Sequence, residues 1–276
     1  MRRFFYNEPN QLAAAKTLPV TADIFHHWCK VLRAQTGEQA VFFDGQGGEY
    51  TVTLTEIGKK TAMVQVNAFE AIDRRLPFEV DIGLVMSRGE RMDYAIQKAT
   101  ELGVTTIHLL TSQHGEVRLK PEQADKKTAH WQQVAISACE QCGLNIPPTI
   151  LPPIPLEEWI NNCEVLCEPS PPSLAAHSQK QGLQKLVLAV PKTIDDPFVA
   201  NHNALSTIQQ TFINKNRVKF VLLIGAEGGL SETEIALALA AGFLPWQIGE
   251  RVLRTETAPV VALSCLLTVY QLYFNP

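Results

Sequence analysis

The 276-residue chain has no excess of positive charge: 24 Lys and Arg stand against 28 Asp and Glu, a formal net charge of −4. A generically basic nucleic-acid binder is thereby excluded, and any nucleic-acid contact has to come from a local patch. No long apolar region follows the Met1-Arg2-Arg3-Phe4-Phe5-Tyr6 start, and no stretch reads as a membrane span. A cytoplasmic protein with no membrane partner is expected. Two nucleotide fingerprints are also missing. The stretch Gly225-Ala226-Glu227-Gly228-Gly229-Leu230 has neither the Lys-Ser/Thr of a P-loop nor the G-x-G-x-x-G of a dinucleotide fold. Glu227 would repel a phosphate.

Zinc is the remaining exclusion to weigh. Cys139-Glu140-Gln141-Cys142 and the Cys163/Cys167 pair are spaced not far from a zinc ribbon. Against it, Val134, Ala135, Ala138, Cys139 and Cys142 recur at helical spacing, which makes the first pair part of a helix face. The cysteines are read as buried reduced thiols, and no metal is expected.

What the chain does have is two glycine-containing turns near its C-terminus. The first follows Val218 to Ile224, a short apolar run that reads as a strand buried on both faces. Ser231-Glu232-Thr233-Glu234 then has the form of a capping box, opening a helix to about Ala241 that Gly242 stops. A strand, a loop and a helix start bring backbone N–H groups to a polar ligand. With Glu227 present, that ligand is neutral or cationic. The second turn runs from Ile248-Gly249 to Arg254-Thr255-Glu256-Thr257, followed by Pro259 just inside a helix, roughly Val260 to Tyr273, that is apolar on nearly every face. Polar residues packed against a buried helix need partners, and a ligand is one way to supply them. On the glycines alone, two ordinary turns joining strands to helices remain the alternative.

At these turns the chain resembles the SPOUT methyltransferases, and among them the enzymes that methylate N3 of a uridine in small-subunit (16S) ribosomal RNA. The family pattern there is I-G-P-E-G-G-hydrophobic-S followed by L-G-x-R-h-L-R-T-E-T-A, with Ala226 in this chain where proline is usual. Lys98 to Gly103 matches the family's K-x-x-E-L-G. Glu140 to Pro148 matches its E-Q-x-x-R-x-x-x-P except at Leu144, and His114 stands where an arginine is common. The resemblance implies S-adenosyl-L-methionine as cofactor, held by Leu188, Val190, Ile224, Gly225, Glu227, Gly229, Ile248, Gly249, Leu253, Arg254, Thr255 and Thr257. It also implies a parallel sheet flanked by helices, tied in a trefoil knot, and a homodimer formed through the C-terminal domain.

The chemistry follows from that substrate. Uridine N3 carries a proton, so methyl transfer requires its removal and stabilisation of the resulting anion. Arg254 is the candidate stabiliser. Glu256 is either the base or a residue that positions Arg254 through a bidentate pair.

The N-terminal residues 1–72 read differently. A helix from Ala22 to Leu32 precedes alternating runs at 40–45, 49–56 and 61–68, which suggest a small β-barrel. In the resemblance this is a PUA-like RNA-binding domain, with residues 73–276 forming the SPOUT domain. Arg2, Arg3, Lys30 and Arg33 are candidate RNA contacts there, as are Arg88 and Lys98 beyond it. Lys98 and Glu101 equally suit a simple ion pair. After the Ala71–Pro77 linker, a strand to Met86, a capping box at Ser87-Arg88-Gly89-Glu90, a helix striped by Met92, Ala95, Ile96, Ala99 and Leu102, and a strand at 104–110 form a βαβ unit. The proline-rich stretch 147–173 reads as irregular or extended chain around one short helix, and Leu186 to Val190 as a further strand ending near the same turns. A SPOUT enzyme acting on a ribose 2′-OH or another base, and a non-catalytic RNA-binding assembly factor, are the alternatives.

Overall fold

The structure, a computed structural model, describes residues 1–8, 11–167, 182–188, 204–214 and 218–274. They gather into two compact units: Met1–Arg75 with Ile136–Pro147, and Leu76–Ala135 with Pro148–Pro276.

The first unit is built on strands β1 (Arg2–Phe5), β2 (Thr17–Pro19), β3 (Gln39–Phe43), β4 (Glu49–Ile57) and β5 (Ala62–Glu70), in the order β1-β3-β4-β5-β2. Alternation buries one face, with Val52, Leu54, Ala62, Val64 and Val66 inside beside Phe4, Phe42 and Trp28. No ladder joins the edge strands β1 and β2 among the described residues. The Tyr6 hydroxyl reaches across instead, donating to the Pro19 carbonyl at 3.2 Å. The helix expected over 22–32 has two registers: α1 (Ala22–Ile24), capped by Thr21, continues as a π-helix over Phe25–Val31. The wider turn puts Ile24, Phe25 and Trp28 all into the core.

Residues 136–147, which the sequence places in the second domain, pack in the first unit. Cys139 and Leu144 cover Phe43, Glu140 accepts the Phe5 N–H at 2.9 Å, and Asn145 donates to the Ile72 carbonyl at 2.6 Å. Burial pushes the Cys139 thiol up to about 12, so it is an inert core group.

The second unit is a six-stranded sheet in which every pairing is parallel. Its strands are β6 (Glu79–Val85), β7 (Thr106–Thr111), β8 (Thr149–Pro155), β9 (Gly182–Leu188), β10 (Val218–Ile224) and β11 (Leu244–Trp246), in the order β11-β9-β10-β6-β7-β8. The helices are α2 (Glu90–Glu101), α3 (Pro121–Cys142), whose last residues belong to the first unit, α4 (Leu156–Asn161), α5 (Cys163–Leu166), α6 (Ala204–Asn214), α7 (Glu232–Ala240) and α8 (Ala258–Phe274). Both faces of the sheet are covered, as a parallel sheet requires. Val80, Ile82 and Leu84 of β6 face a core shared with α2, α6 and α8, while Asp81, Gly83 and Val85 face α4 and α7. Gly83 has no room for a side chain, because a Cβ there would lie 2.5 Å from the Trp159 ring.

Several sequence readings need correction. α2 has no capping box at Ser87: its N-cap is Gly89, at φ 63°, and the Ser87 hydroxyl is buried without a partner. α3 begins well before the helix face read from Val134 to Cys142, at Pro121, where proline suits a first helical position. The proline-rich stretch is extended around one short helix as read, and the structure adds that its extended part pairs as β8, an edge strand, the one place in a sheet where missing N–H groups cost little, ahead of α4. Thr257–Phe274 does reach the length and hydropathy of a membrane span, with mean hydropathy 1.5, because it contains no charged residue. Ala258, Pro259, Ala262, Leu263 and Leu266 of this helix lie in the core, yet only 28% of the window is buried. Val190 and the prolines at 169–172 lie outside the described residues.

Candidate functional site

The strands β9 and β10 end side by side at Leu188 and Ile224, and the two glycine turns begin there or close by. Between them lies a cavity of about 330 Å³ lined by Leu188, Ile224 to Leu230, Ile235, Trp246, Ile248, Arg251 to Leu253, Thr255 and Ala258. The walls are mainly apolar, with one carboxylate, Glu227.

The first wall is tightly built. The Gly229 N–H donates to the Ala226 carbonyl at 2.8 Å, closing the turn. Gly225 is needed for packing: a Cβ there would stand 3.1 Å from the Gly229 backbone and 3.2 Å from the Leu230 N. Gly229 is needed for conformation, at φ 70°. The capping box forms as the sequence predicts, Ser231 Oγ accepting the Glu234 N–H and the Glu234 carboxylate accepting the Ser231 N–H. The other Glu234 oxygen accepts the Gln113 N–H at 2.7 Å, tying the turn to the end of β7.

The second wall is looser. Gly249 adopts φ 73°, and the Gln247 side chain donates to its carbonyl at 2.9 Å. The Ala258 N–H reaches back to the Arg254 carbonyl, so the polar run feeds directly into α8. Thr255 is buried, and its hydroxyl has no partner among the described residues; Glu256 Oε2 is likewise buried and unpartnered there. Arg254 turns outward with 78% of its side chain exposed and stands 3.9 Å from Glu256, too far for the bidentate hydrogen bonding the sequence suggests.

A second cavity, about 440 Å³, adjoins the first at Glu227 and Gly228 and is lined also by Arg88, Gly89, Arg91, His114 and Glu116. Glu227 holds Arg91 at 2.6 Å and thereby pushes its guanidinium pKa up. Arg88 meets Glu116 at 3.1 Å, and His114 Nδ1 approaches the Gly228 carbonyl at 3.2 Å.

The structure thus brings together Leu188, Ile224, Gly225, Glu227, Gly229, Ile248, Leu253 and Thr255 on the first cavity. Gly249, Arg254, Glu256 and Thr257 belong to the same turn without lining it. Trp246, Arg251, Val252, Ile235 and Ala258 were not legible as lining residues. Apolar residues in a strand, a helix and an exposed loop carry no pattern that separates a cavity wall from a core. Arg91 was missed too, although it directly follows the Ser87–Glu90 stretch, because its meaning depends on Glu227 far along the chain.

The cationic candidates divide. Arg3 is not presented outward: it donates to Glu49 at 2.7 Å with 11% of its side chain exposed, and its guanidinium lies over the Phe43 ring. Its role is structural, since Arg74 binds the same carboxylate through two hydrogen bonds. Those bonds, with Arg3, hold the Glu49 carboxyl below its ordinary pKa despite burial. Arg2 and Arg33 are exposed, Lys30 lies over the Phe25 ring, and Lys98 pairs with Glu101 at 2.8 Å. Of the cysteines in the zinc-ribbon spacing, Cys139 and Cys142 belong to the first unit and Cys163 and Cys167 to the second.

Comparison with known proteins adds the following. An RNA methyltransferase domain family matches residues 74–267, and an RNA methyltransferase PUA domain family matches residues 20–67. The "Ribosomal RNA small subunit methyltransferase E" of Buchnera aphidicola subsp. Schizaphis graminum is 30% identical over 87% of this chain and 86% of its own. The crystal structure of the Neisseria gonorrhoeae protein of that same name, bound to S-adenosyl methionine, is 32% identical with a TM-score of 0.77 and covers 98% of both chains. A Legionella pneumophila methyltransferase in complex with the same cofactor is 30% identical, with a TM-score of 0.76 over 97% of both chains.

Proposed function

This chain belongs to the RNA methyltransferase family, and we propose that it uses S-adenosyl-L-methionine to methylate N3 of a uridine in 16S ribosomal RNA, within the assembled small subunit in the cytoplasm. One observation carries the cofactor assignment. A cavity walled by two glycine turns is lined in part by Thr255, whose buried hydroxyl has no partner among the described residues, and a ligand donor or acceptor would satisfy it. Glu227 at its edge suits a sulfonium and disfavours a phosphate.

S-adenosyl-L-methionine, when bound, supplies a methyl group on a positively charged sulfur. The protein's residues then have two tasks. The neighbouring cavity, where Arg88, Arg91 and His114 line the side of Glu227 away from Thr255, receives the uracil and its phosphates. Arg254 supplies positive charge to the anion formed when the N3 proton leaves to solvent; N3 bonds the methyl carbon as the C–S bond breaks, and that electron pair stays on sulfur. Glu256 is a positioning residue: its Oε1 stands 3.9 Å from Arg254, and its buried Oε2, without a partner among the described residues, is left for a second bond from the same guanidinium as Arg254 draws in.

The exposed apolar flank of α8, with Leu272 and Tyr273, supports a homodimer formed through this domain. The adjacency of β9, β10 and β11 before α8 is consistent with the trefoil knot of the resembling family.

The test is transfer of labelled methyl to unmethylated small subunits, with nucleoside digestion to identify the product. A 3-methyluridine peak is expected. Arg254→Ala should lower the rate by about 10²–10³. Glu256→Gln should cost less and leave the pH profile unchanged, whereas a general base there would flatten it. Cofactor binding without 3-methyluridine would transfer the assignment to another base or a ribose; no cofactor binding would end it.

A further inference from the structure

The end of the sheet away from the cofactor cavity holds a group of buried polar side chains that the methyl-transfer chemistry does not use. On the face covered by α4 and α7, Asp81 of β6, His108 of β7 and Lys219 of β10 stand in the first half of their strands, whereas the cavity lies at the strand ends. Cys163 opens α5 and Cys167 follows it, each almost fully buried. Asp81 and His108 have only 2% of their side chains exposed.

The contacts within this group are long: the two that involve sulfur are at the far end of thiol hydrogen-bond range, and the one between nitrogen and oxygen lies beyond it. His108 Nε2 lies 3.7 Å from Asp81 Oδ2 and 3.7 Å from Cys167 Sγ, and the two sulfurs are 3.8 Å apart. A nitrogen and an oxygen at 3.7 Å are too far apart to share a proton well. Tetrahedral zinc, with bonds of about 2.0 Å to nitrogen or oxygen and about 2.3 Å to sulfur, sets neighbouring ligand atoms about 3.3–3.8 Å apart. The ligand atoms of Asp81, His108 and Cys167 all lie within 4.8 Å of one another. Asp81 engages Lys219 at 2.8 Å through Oδ2, while its Oδ1 is buried without a hydrogen-bond partner among the described residues. Each cysteine sits four residues from the other, with its sulfur turned to the same place.

We propose that Asp81, His108, Cys163 and Cys167 bind a single zinc ion that fastens the segment carrying the cysteines to the sheet. Thiolate, imidazole and carboxylate together select zinc over calcium or magnesium. On binding, both thiols release their protons to solvent, and two thiolates with Asp81 offset the ion and Lys219, with the Glu79 carboxylate also 3.6 Å from the Lys219 ammonium. His108 coordinates as the neutral imidazole. Cys163 moves the most, since it lies beyond the 4.8 Å group that the other three form. The site is structural, because four protein ligands leave no open position for a substrate.

The test uses the full chain, purified without chelator, equilibrated with zinc, dialysed against metal-free buffer and assayed by mass spectrometry of the metal. One zinc per chain is expected. Replacement by Co²⁺ should give the intense visible bands of a tetrahedral site and a near-ultraviolet thiolate charge-transfer band. Cys163→Ser, Cys167→Ser and His108→Gln should each lose most of the metal, while Cys139→Ser and Cys142→Ser keep it. Wild-type protein that retains no zinc and shows no tetrahedral Co²⁺ bands overturns the site, whatever the variants do and even if some of them do not fold. So does metal that survives all three ligand substitutions.

Discussion

The two turns that wall the proposed cofactor cavity are made on opposite plans. In the first, from Gly225 to Glu234, several polar groups already have partners in the protein. The turn closes on its own backbone, the capping box is complete, and Gln113, His114 and Arg91 each reach in from neighbouring segments. In the second, from Ile248 to Thr257, Arg251, Val252 and Arg254 are exposed, and Thr255 and Glu256 each keep a buried oxygen without a partner. One wall is therefore a preformed surface against which a ligand is measured. The other holds hydrogen-bonding capacity in reserve, so its polar groups are satisfied by what binds rather than by what folds.

The sharpest way to break this contrast is to disturb the preformed wall where it cannot give. Gly225→Val would press a branched side chain onto the Gly229 and Leu230 backbone, which already lies 3.1–3.2 Å from a Cβ position. A stability loss of about 1–3 kcal/mol is expected from overpacking, together with loss of S-adenosyl-L-methionine binding by calorimetry. Val252→Ala, on the loose wall and 79% exposed, should move the melting temperature hardly at all. Equal effects at the two sites would show that the second wall is as rigid as the first.

A smaller loss is expected at Glu234. Its carboxylate serves both the Ser231 and the Gln113 N–H groups, so Glu234→Ala strands two donors beneath the turn. The cost should be about 1–3 kcal/mol in denaturant unfolding. Ser231→Ala removes the cap alone and should cost about 1 kcal/mol. If Glu234→Ala cost no more than Ser231→Ala, the link to Gln113 would not be part of what holds this wall.

The same contrast decides what was legible in the sequence. The first turn was readable because its contacts are local: a strand, glycines and an S-x-x-E box recur at fixed short spacing, and all of them form. The parallel sheet was readable for the same reason, through the βαβ pattern from Phe78 to Leu110. Long-range partners were not. Nothing near Arg91 announces Glu227, and nothing near Arg3 announces that Glu49 will bury it. The 136–147 segment reads as an ordinary helix end, and only packing against Phe5 and Phe43 assigns it to the first unit. The Ser87 box failed because the motif counts residues, not dihedrals: Gly89 enters α2 at φ 63°, which takes Ser87 out of reach.

The smallest expected effect on the fold falls on Thr255, and it separates the two plans most cleanly. Thr255→Val keeps the shape of the side chain and removes only a hydroxyl that is buried and unpartnered. A group that satisfied the protein itself would cost stability when removed. One held in reserve should leave the melting temperature unchanged or slightly raised, because an unpaired polar atom is no longer buried. Affinity should move instead: losing one hydrogen bond of about 0.5–1.5 kcal/mol corresponds to a cofactor Kd weakened about two- to twelvefold. Calorimetry and thermal melting on the same preparation read both quantities. A variant that melts earlier yet binds cofactor as wild type does would place Thr255 with the preformed wall and leave the second turn without its reserve.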